Sequence, residues 1–493
     1  MPHEVAGVGQ GLGFRVSAMS ALSLARPILP LLLALCAPVA AAQAPLQQRV
    51  EAQLAQAGSG TRFGLVVAAE DGREIVAINP DGRFIPASNT KIFTTAAAMH
   101  LLGGVDAPDT AGGASVRLEG AGKQDVVLAG HGDARLSSAA DCVTDCLAGL
   151  ADAVAARTKR VGNIVADDSF FPDQRWSPGM SWNNIPTRSG TAASALTLDD
   201  SEYVVRITAA QPGQAPRVEH PGYFTIENRA TTVREGQAEL GVDRLPGSTL
   251  LRLTGAVLAG AAPETLRLGI DDPAQFAAWR FKQMLEARGV RVSGAVQVRH
   301  RPNGQQRAPA GTAEPLARLT PPPLLDDVKI INKVSQNLHA ELLLRRVALQ
   351  KGNGSLSDGL AAVEAMVVEA GVPADRVDLS DGSGMSTYNR VTPRGMVTFL
   401  RWVQRQPWGA KWRDTLPIGG LDGTLARRFK GTPLEGRVFA KTGSLNATTG
   451  LSGYLIAKSG RTLTFSAFAN DIPEGVAATK AIDTALLAIA SEH

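Results

Sequence analysis

The stretch FIPASNTKIFTTAAAM, Phe84 to Met99, places a serine and a lysine three residues apart where a helix is expected to begin. Positions i and i+3 share one face of a helix, so the hydroxyl of Ser88 and the amine of Lys91 can meet. The same letters also suit a helix cap beside an ordinary exposed amine, because Ser, Asn and Thr are the usual capping residues. The predicted helix ends near Leu102, before two glycines.

Two further motifs lie far downstream. Ser335-Gln336-Asn337 opens a helical pattern, and Lys441-Thr442-Gly443-Ser444 lies in a predicted strand. A strand lysine followed by a hydroxyl and a glycine can hold a carboxylate, and the glycine lets a substrate backbone approach closely. Each motif is weak alone. In the order S-x-x-K, S-x-N, K-T-G, on two helix starts and a strand, they resemble the signature of penicillin-recognising serine acyltransferases.

The spacing of the motifs distinguishes among such enzymes. Ser335 follows Lys91 by 335 − 91 = 244 residues, far more than in a simple serine β-lactamase. The chain resembles the D-alanyl-D-alanine carboxypeptidase/endopeptidase family of low-molecular-mass, class C type penicillin-binding proteins, whose extra domains are inserted after the S-x-x-K helix. The resemblance also rests on GHGDARLS (130–137), VADDSFF (165–171), LSDGSGMSTYNRVTP (379–393) and LPIGGLDGTLARRF (416–429).

The hydrophobic pattern predicts one sheet built from both chain ends. An early hairpin, RFGLVVAAEDGREIVAI, and three late strands, GRVFAKTGSL, GLSGYLIA and TLTFSAFAN, flank several helices. Residues 105–315 have a mixed α/β texture and are expected to form one or two inserted domains between the catalytic parts 45–104 and 316–493. The resemblance implies an α/β (α+β) fold of the β-lactamase/transpeptidase type, with an antiparallel sheet flanked by helices.

The N-terminus has the pattern of an export signal. Arg15 and Arg26 precede an apolar run, and Ala40-Ala41-Ala42 suits a signal peptidase, so residues 1–42 are expected to be removed. Lipidation at Cys36 is the alternative, but Leu35 occupies a position where a small residue is expected. We therefore expect a periplasmic protein with no transmembrane helix after cleavage.

The composition excludes several classes of partner. The 493 residues are 44% hydrophobic and 19% charged, with a net charge of only +4 and no basic–aromatic pattern, so nucleic acid is not an expected partner. The sequence contains no Cys/His cluster of the kind that binds a metal, and no cofactor is expected. Cys142 and Cys146 can form a local disulfide or remain as two thiols on one helix face.

The family resemblance implies a role for each motif residue. Ser88 attacks the penultimate D-Ala carbonyl of a peptidoglycan stem peptide or cross-link, while Lys91 takes its proton. That step needs a neutral amine, and both burial and the neighbouring Lys441 are expected to lower the pKa of Lys91. By the same resemblance, Ser335 relays the proton to the leaving amine, and Asn337 orients Lys91 and the substrate amide. Lys441, Thr442 and Ser444 hold the terminal carboxylate, and Gly443 lets the substrate backbone approach. The backbone N–H groups of Ser88 and Ser444 form the oxyanion hole. β-Lactams are expected to be covalent inhibitors.

Substrate selection is expected to involve the middle of the chain. Asp167 best matches an aspartate that recognises a side-chain amine in relatives, with Asp168 the near miss; a loop cap after a strand is the alternative. Thr387 stands where many relatives carry an arginine, and Arg390 is a candidate substitute. Asp381 and Asp422 are interpreted as turn residues. His339 is expected to be packed, not catalytic.

Two other functions compete with the peptidase hypothesis. A β-lactamase would need fast deacylation, and the long insertion argues against it. A β-lactam sensor or silent peptidoglycan binder would be expected to carry membrane helices or to have lost a motif residue, and all three motifs are intact.

Overall fold

Five antiparallel strands from both ends of the chain form the central sheet in the computed structural model, which describes residues 44–307 and 314–493. The expected signal at 1–42, with Cys36, lies outside the described residues. The helices are α1 (Leu46–Ala55), α2 (Lys91–Leu101), α3 (Leu147–Arg157), α4 (Pro273–Ala287), α5 (Leu324–Lys333), α6 (Asn337–Ala348), α7 (Leu356–Glu369), α8 (Pro393–Gln404), α9 (Gly409–Arg413) and α10 (Ala478–Glu492).

The strands run in chain order as follows. The early ones are β1 (Arg62–Ala68), β2 (Glu74–Ile78), β3 (Ser115–Glu119), β4 (Asp125–Ala129), β5 (Arg160–Val161), β6 (Ile164–Pro172), β7 (Glu202–Thr208), β8 (Arg217–Glu219), β9 (Thr225–Asn228) and β10 (Thr231–Val233). The later ones are β11 (Leu240–Asp243), β12 (Leu250–Leu258), β13 (Glu264–Gly269), β14 (Arg291–Val292), β15 (Val296–Arg301), β16 (Ala317–Arg318), β17 (Val377–Asp378), β18 (Arg390–Val391), β19 (Val438–Leu445), β20 (Thr448–Ile456) and β21 (Thr462–Asn470).

The central sheet has the strand order β19-β20-β21-β1-β2. Successive side chains of a strand point to opposite faces. Accordingly, Leu65 and Val67 of β1 join the core formed with α1 and α10, whereas Val66 packs with Val397 of α8. Helices therefore cover both faces, and the predicted antiparallel sheet flanked by helices is confirmed.

The middle of the chain forms separate sheets with their own core. The largest has the order β15-β6-β4-β3-β16, with parallel and antiparallel pairs, and apolar residues of α3 and α4 contribute to the same core. Because β16 pairs with β3, this sheet includes residues 317–318, just beyond the expected edge at 315. The domain boundaries 104/105 and 315/316 remain a proposal.

The stretch AADCVTDCLAGLADAVAARTKR (139–160) has a helical pattern that predicts one helix including Cys142, but the observed helix is shorter. It begins at Leu147, and the preceding loop contains a disulfide between Cys142 and Cys146. Of the two alternatives left open, the disulfide is the one observed. Within the described residues, no helix has both the length and the apolar character needed to cross a bilayer.

Candidate active site

Ser88 and Lys91 meet where two kinds of helix join. Residues Ala87–Thr90 form a 3₁₀ turn, and α2 continues from Lys91. The Nζ of Lys91 lies 2.9 Å from Ser88 Oγ. Ser88 makes no side-chain capping bond, so the cap interpretation is wrong. Ala87, just before it, has a φ of 47°, a conformation that costs energy for a residue with a Cβ and recurs at functional sites.

Lys91 is fully buried among oxygen atoms. Its Nζ lies 2.6 Å from Asn337 Oδ1 and 2.5 Å from the carbonyl oxygen of Ser383, and its exposed fraction is 0%. Burial lowers the pKa of Lys91 to about 7, against the opposing effect of the carboxylates of Asp381 and Glu341. A substantial neutral fraction near pH 7 follows, as a general base requires.

Ser335 and Lys441 form a second hydroxyl–amine pair. Lys441 Nζ donates to Ser335 Oγ at 2.9 Å and is completely buried. Burial, followed by the positive charge of Lys91, lowers the pKa of Lys441 well below its ordinary value. Lys441 was also expected to lower the pKa of Lys91, but it is not among the principal causes of that shift. The charges with the largest effect on Lys91 are the carboxylates of Asp381 and Glu341, which raise its pKa.

The S-x-N segment has an unusual backbone conformation just before helix α6. Ser335 has a φ of 63°, and the capping acceptor for α6 is Gln336, whose side chain bonds to the N–H of Leu338. The side-chain amide of Asn337 donates to the carbonyl of Ser189 at 2.9 Å. Asn337 therefore links Lys91 to the middle segment of the chain.

The K-T-G motif lies on β19, an edge of the central sheet. Thr442 Oγ1 lies 2.8 Å from Thr424 Oγ1, and Ser444 is exposed. A Cβ on Gly443 would lie 2.5 Å from the carbonyl oxygen of Pro86 and 2.6 Å from Asn89 Nδ2. The side-chain position thus faces the 3₁₀ turn that contains Ser88. This close contact between strand and turn requires a glycine at position 443; the expected approach of a substrate backbone there stays a prediction.

A buried turn at 381–386 completes the surroundings of Lys91, and the sequence motifs did not predict its place there. Asp381, interpreted from sequence as a turn former, is 0% exposed. Its carboxylate accepts from the N–H groups of Gly384 and Ser386, and Glu341 binds the same turn. One sequence signal was available for Glu341, because it follows Asn337 by four residues on the same helical face.

Asp167 does not join this cluster. It lies inside β6, not in a loop, and its Oδ2 pairs with Arg117 at 3.3 Å and Arg299 at 3.1 Å. Burial opposes ionisation, but bonds from Ser169 and the two arginines hold the pKa of Asp167 below its ordinary value. Asp168 bonds to His300 and Ser194 instead. The position inside β6 does not match the loop cap, and the recognition of a substrate amine by Asp167 stays a prediction.

The loop around Thr387 joins the middle segment. The N–H of Thr387 donates to the carbonyl of Gly179 at 2.9 Å, and Ser386 Oγ donates to the carbonyl of Pro178 at 2.6 Å. Arg390 donates to the carbonyls of Thr387 and Asn389. Its guanidinium is therefore used to brace this loop, which weakens it as a substitute for the arginine of relatives.

His339 is buried between two carboxylates. Its Nδ1 lies 3.1 Å from Asp327 Oδ1, and its Nε2 lies 2.8 Å from Asp200 Oδ1. Burial favours the neutral ring, but the two acidic partners raise the pKa of His339 to about 9. His339 is packed, as expected, and it joins α5, α6 and the segment around Asp200.

His339→Gln should destabilise the protein in a pH-dependent way. Since the folded pKa lies above the unfolded value of about 6.5, the stabilisation is complete below pH 6.5 and is lost as the pH rises through 9. We expect a loss of about 2–3 kcal/mol at pH 6 that shrinks towards pH 9.5. Urea unfolding of both proteins at each pH measures it; a difference independent of pH would contradict the ionic role.

Comparison with known proteins places nearly all of the described chain in one family. Residues 46–493 match the model of the D-Ala-D-Ala carboxypeptidase 3 (S13) family. The chain is 35% identical over 423 residues to the D-alanyl-D-alanine carboxypeptidase of Actinomadura sp. (strain R39), covering 82% of this chain and 76% of that protein.

Solved structures show the same fold. Penicillin binding protein 4 (dacB) from Haemophilus influenzae aligns with a TM-score of 0.76 at 24% identity, covering 88% of this chain and 98% of that one. The same Haemophilus protein complexed with a β-lactam aligns with a TM-score of 0.71 at 23% identity, covering 89% and 97%.

Proposed function

The chain belongs to the D-Ala-D-Ala carboxypeptidase 3 (S13) family, and we propose that this serine-type carboxypeptidase hydrolyses peptidoglycan stem peptides through an acyl-enzyme on Ser88. The observation that carries the proposal is the contact of 2.9 Å between Ser88 Oγ and the Nζ of Lys91. Lys91 is buried and has a pKa of about 7. A hydroxyl with a neutral amine beside it is an activated nucleophile.

Acylation moves one proton at each end of the scissile bond. Ser88 Oγ attacks the carbonyl carbon of the penultimate D-Ala, and its proton passes to Lys91. The C–N bond then breaks, and the departing amine takes a proton from Ser335, which Lys441 can replace across their 2.9 Å contact. The backbone N–H groups of Ser88 and Ser444 stabilise the oxyanion in this proposal. Water later releases the acyl group and restores the Ser88 hydroxyl.

The terminal carboxylate of the substrate is expected to bind at β19. Lys441, Thr442 and Ser444 present an amine and two hydroxyls along this edge strand. A bound carboxylate would favour the charged form of Lys441, offsetting the burial that lowers its pKa. Substrate binding would then charge Lys441 while Lys91 supplies the neutral base.

Acylation should depend on pH through Lys91. Because the neutral amine is the active form, the second-order rate of acylation by a β-lactam should rise about tenfold per pH unit below 7 and level off above it. Stopped-flow measurements with a fluorescent penicillin from pH 5 to 9 provide the test. A rate that falls with rising pH over this range would exclude Lys91 as the base.

A product assay tests the function itself. Purified protein should release D-Ala from a peptide ending in D-Ala-D-Ala, and mass spectrometry of cross-linked muropeptides should reveal any endopeptidase products. A fluorescent penicillin should label the protein for a long time; rapid turnover would instead indicate a β-lactamase. If folded protein neither releases D-Ala nor opens cross-links, the proposal fails.

The expected surroundings follow from the same proposal. The export signal predicted at 1–42 supports a periplasmic location, where stem peptides and cross-links are available as substrates. β-Lactams would bind as covalent inhibitors, because they mimic the acyl donor and leave a slowly hydrolysed ester on Ser88.

A further inference from the structure

Two carboxylates hold a tight turn beside the base Lys91. Glu341 Oε1 accepts from the N–H groups of Gly382 at 3.0 Å and Ser383 at 2.9 Å. Asp381 accepts from the N–H groups of Gly384 at 2.8 Å and Ser386 at 2.6 Å. With these N–H groups directed at the carboxylates, the turn presents two carbonyls to α2.

The two carbonyls contact one face of α2. The Gly382 carbonyl accepts from Thr94 Oγ1 at 2.7 Å, and the Ser383 carbonyl accepts from Lys91 Nζ at 2.5 Å. Thr94 and Lys91 are three residues apart and share that face. The turn is therefore aligned with the helix that carries the base.

The protons of a neutral amine have only one arrangement among these partners. Neutral Lys91 has two N–H groups and one lone pair. Asn337 Oδ1 and the Ser383 carbonyl can only accept, whereas the Ser88 hydroxyl can donate. The two acceptors take both N–H groups, so the lone pair is left for the Ser88 proton. The Ser383 carbonyl thus helps to direct the lone pair of Lys91 towards Ser88.

The same turn is packed against the nucleophile. Gly384 has a φ of 84°, and a Cβ there would lie 2.0 Å from the carbonyl oxygen of Ala87 and 3.0 Å from the Ser88 nitrogen. The turn therefore contacts both members of the pair, the amine through Ser383 and the nucleophile's backbone through Gly384. A shift of the turn would change their relative position.

We propose that Glu341 and Asp381 are positioning residues for Lys91, holding the 381–386 turn so that the Ser383 carbonyl directs the lone pair of the amine at Ser88. The proposal deepens the proposed function and rests on it. Neither carboxylate contacts Ser88 in the structure; both act through the turn.

The charges around Lys91 allow a test that does not depend on protein stability, because they set the pKa of the amine. Asp381 and Glu341 supply negative charge near Lys91. Lys91 and Lys441 are close enough for the charge of one to affect the other, and Arg345 pairs with the outer oxygen of Glu341 at 3.0 Å. Negative charge favours protonated Lys91. Removing one carboxylate should therefore lower the pKa of Lys91, while the displaced turn should slow acylation at every pH.

The test compares Glu341→Gln and Asp381→Asn with the wild type. Acylation by a fluorescent penicillin is measured from pH 4 to 9, with thermal melting to confirm folding. In the plot of acylation rate against pH, we expect the rising part to shift to lower pH by about one unit. We also expect the rate on the plateau to fall about tenfold. Asp109→Asn is the control, because it removes a buried carboxylate bonded to Arg346 and should lower the melting temperature without shifting the rising part.

Each outcome of this test either supports or overturns the proposal. A lower plateau with an unshifted rising part would show a merely structural role and overturn the proposal, as would two variants that behave like the wild type. If neither variant folds while Asp109→Asn does, the carboxylates serve folding and the proposal also falls. A wild type that is never acylated would instead contradict the proposed function.

Discussion

Ser88→Ala is expected to abolish both penicillin labelling and release of D-Ala. The substitution removes the hydroxyl that Lys91 contacts at 2.9 Å, so no acyl-enzyme can form at position 88. The loss should reach the detection limit, at least ~10³-fold. Gel fluorescence and an assay of D-Ala measure the two activities.

Folding should survive this substitution. Within the described residues, the side chain of Ser88 is hydrogen-bonded to Lys91 alone. Active-site groups are also often held at a cost in stability. The melting temperature should therefore be unchanged or slightly higher. Ser491→Ala, which removes an exposed hydroxyl in the last helix, is the matched control and should retain full labelling. Residual labelling of Ser88→Ala at the wild-type rate would identify a different nucleophile.

Gly443→Ala should reduce acylation at least ~10²-fold, because displacement of reacting groups by about 1 Å has effects of that size. The added Cβ would lie 2.5 Å from the carbonyl oxygen of Pro86, which is backbone and cannot rotate away. Strand β19 must then move from the 3₁₀ turn, separating Lys441 and Ser444 from Ser88. Acylation kinetics with a fluorescent penicillin measure the loss.

Gly103→Ala is the control for this substitution. A Cβ at Gly103 would meet no atom of the described residues within 4 Å, so both melting temperature and acylation should stay at wild-type values. Equal acylation by Gly443→Ala and the wild type would mean that the strand and the turn can separate without consequence, contrary to the packing described.

The strands of the central sheet were predictable because they carry strong local patterns. The three late strands and the early hairpin are short apolar runs bounded by turns, and β1, β2, β19, β20 and β21 occupy them. The helix around Cys142 was overextended because helical composition continues through residues that the disulfide loop holds in another conformation. Local propensity does not report such a constraint.

The candidate catalytic residues were predictable as motifs, but their surroundings were not. The chain separates Ser88, Asn337 and Lys441, and only their order suggested that they meet. The sequence offers little to single out Glu341 and the Ser383 carbonyl, because a backbone acceptor has no sequence signature and a helical glutamate is usually a solvated residue. The pKa of Lys91 was expected to fall through Lys441, but the opposing carboxylates could be found only from the fold.

The pairing of β1 with β21 has a consequence for how the chain is made. Arg62 pairs with Asn470, which is synthesised 470 − 62 = 408 residues later. A growing polypeptide can form the S-x-x-K helix early, but β1 lacks its central neighbour until the final strand emerges. Such distant pairing slows folding. The nascent chain therefore carries Ser88 before the candidate catalytic centre is assembled, and hydrolytic competence appears only after β21 has been synthesised.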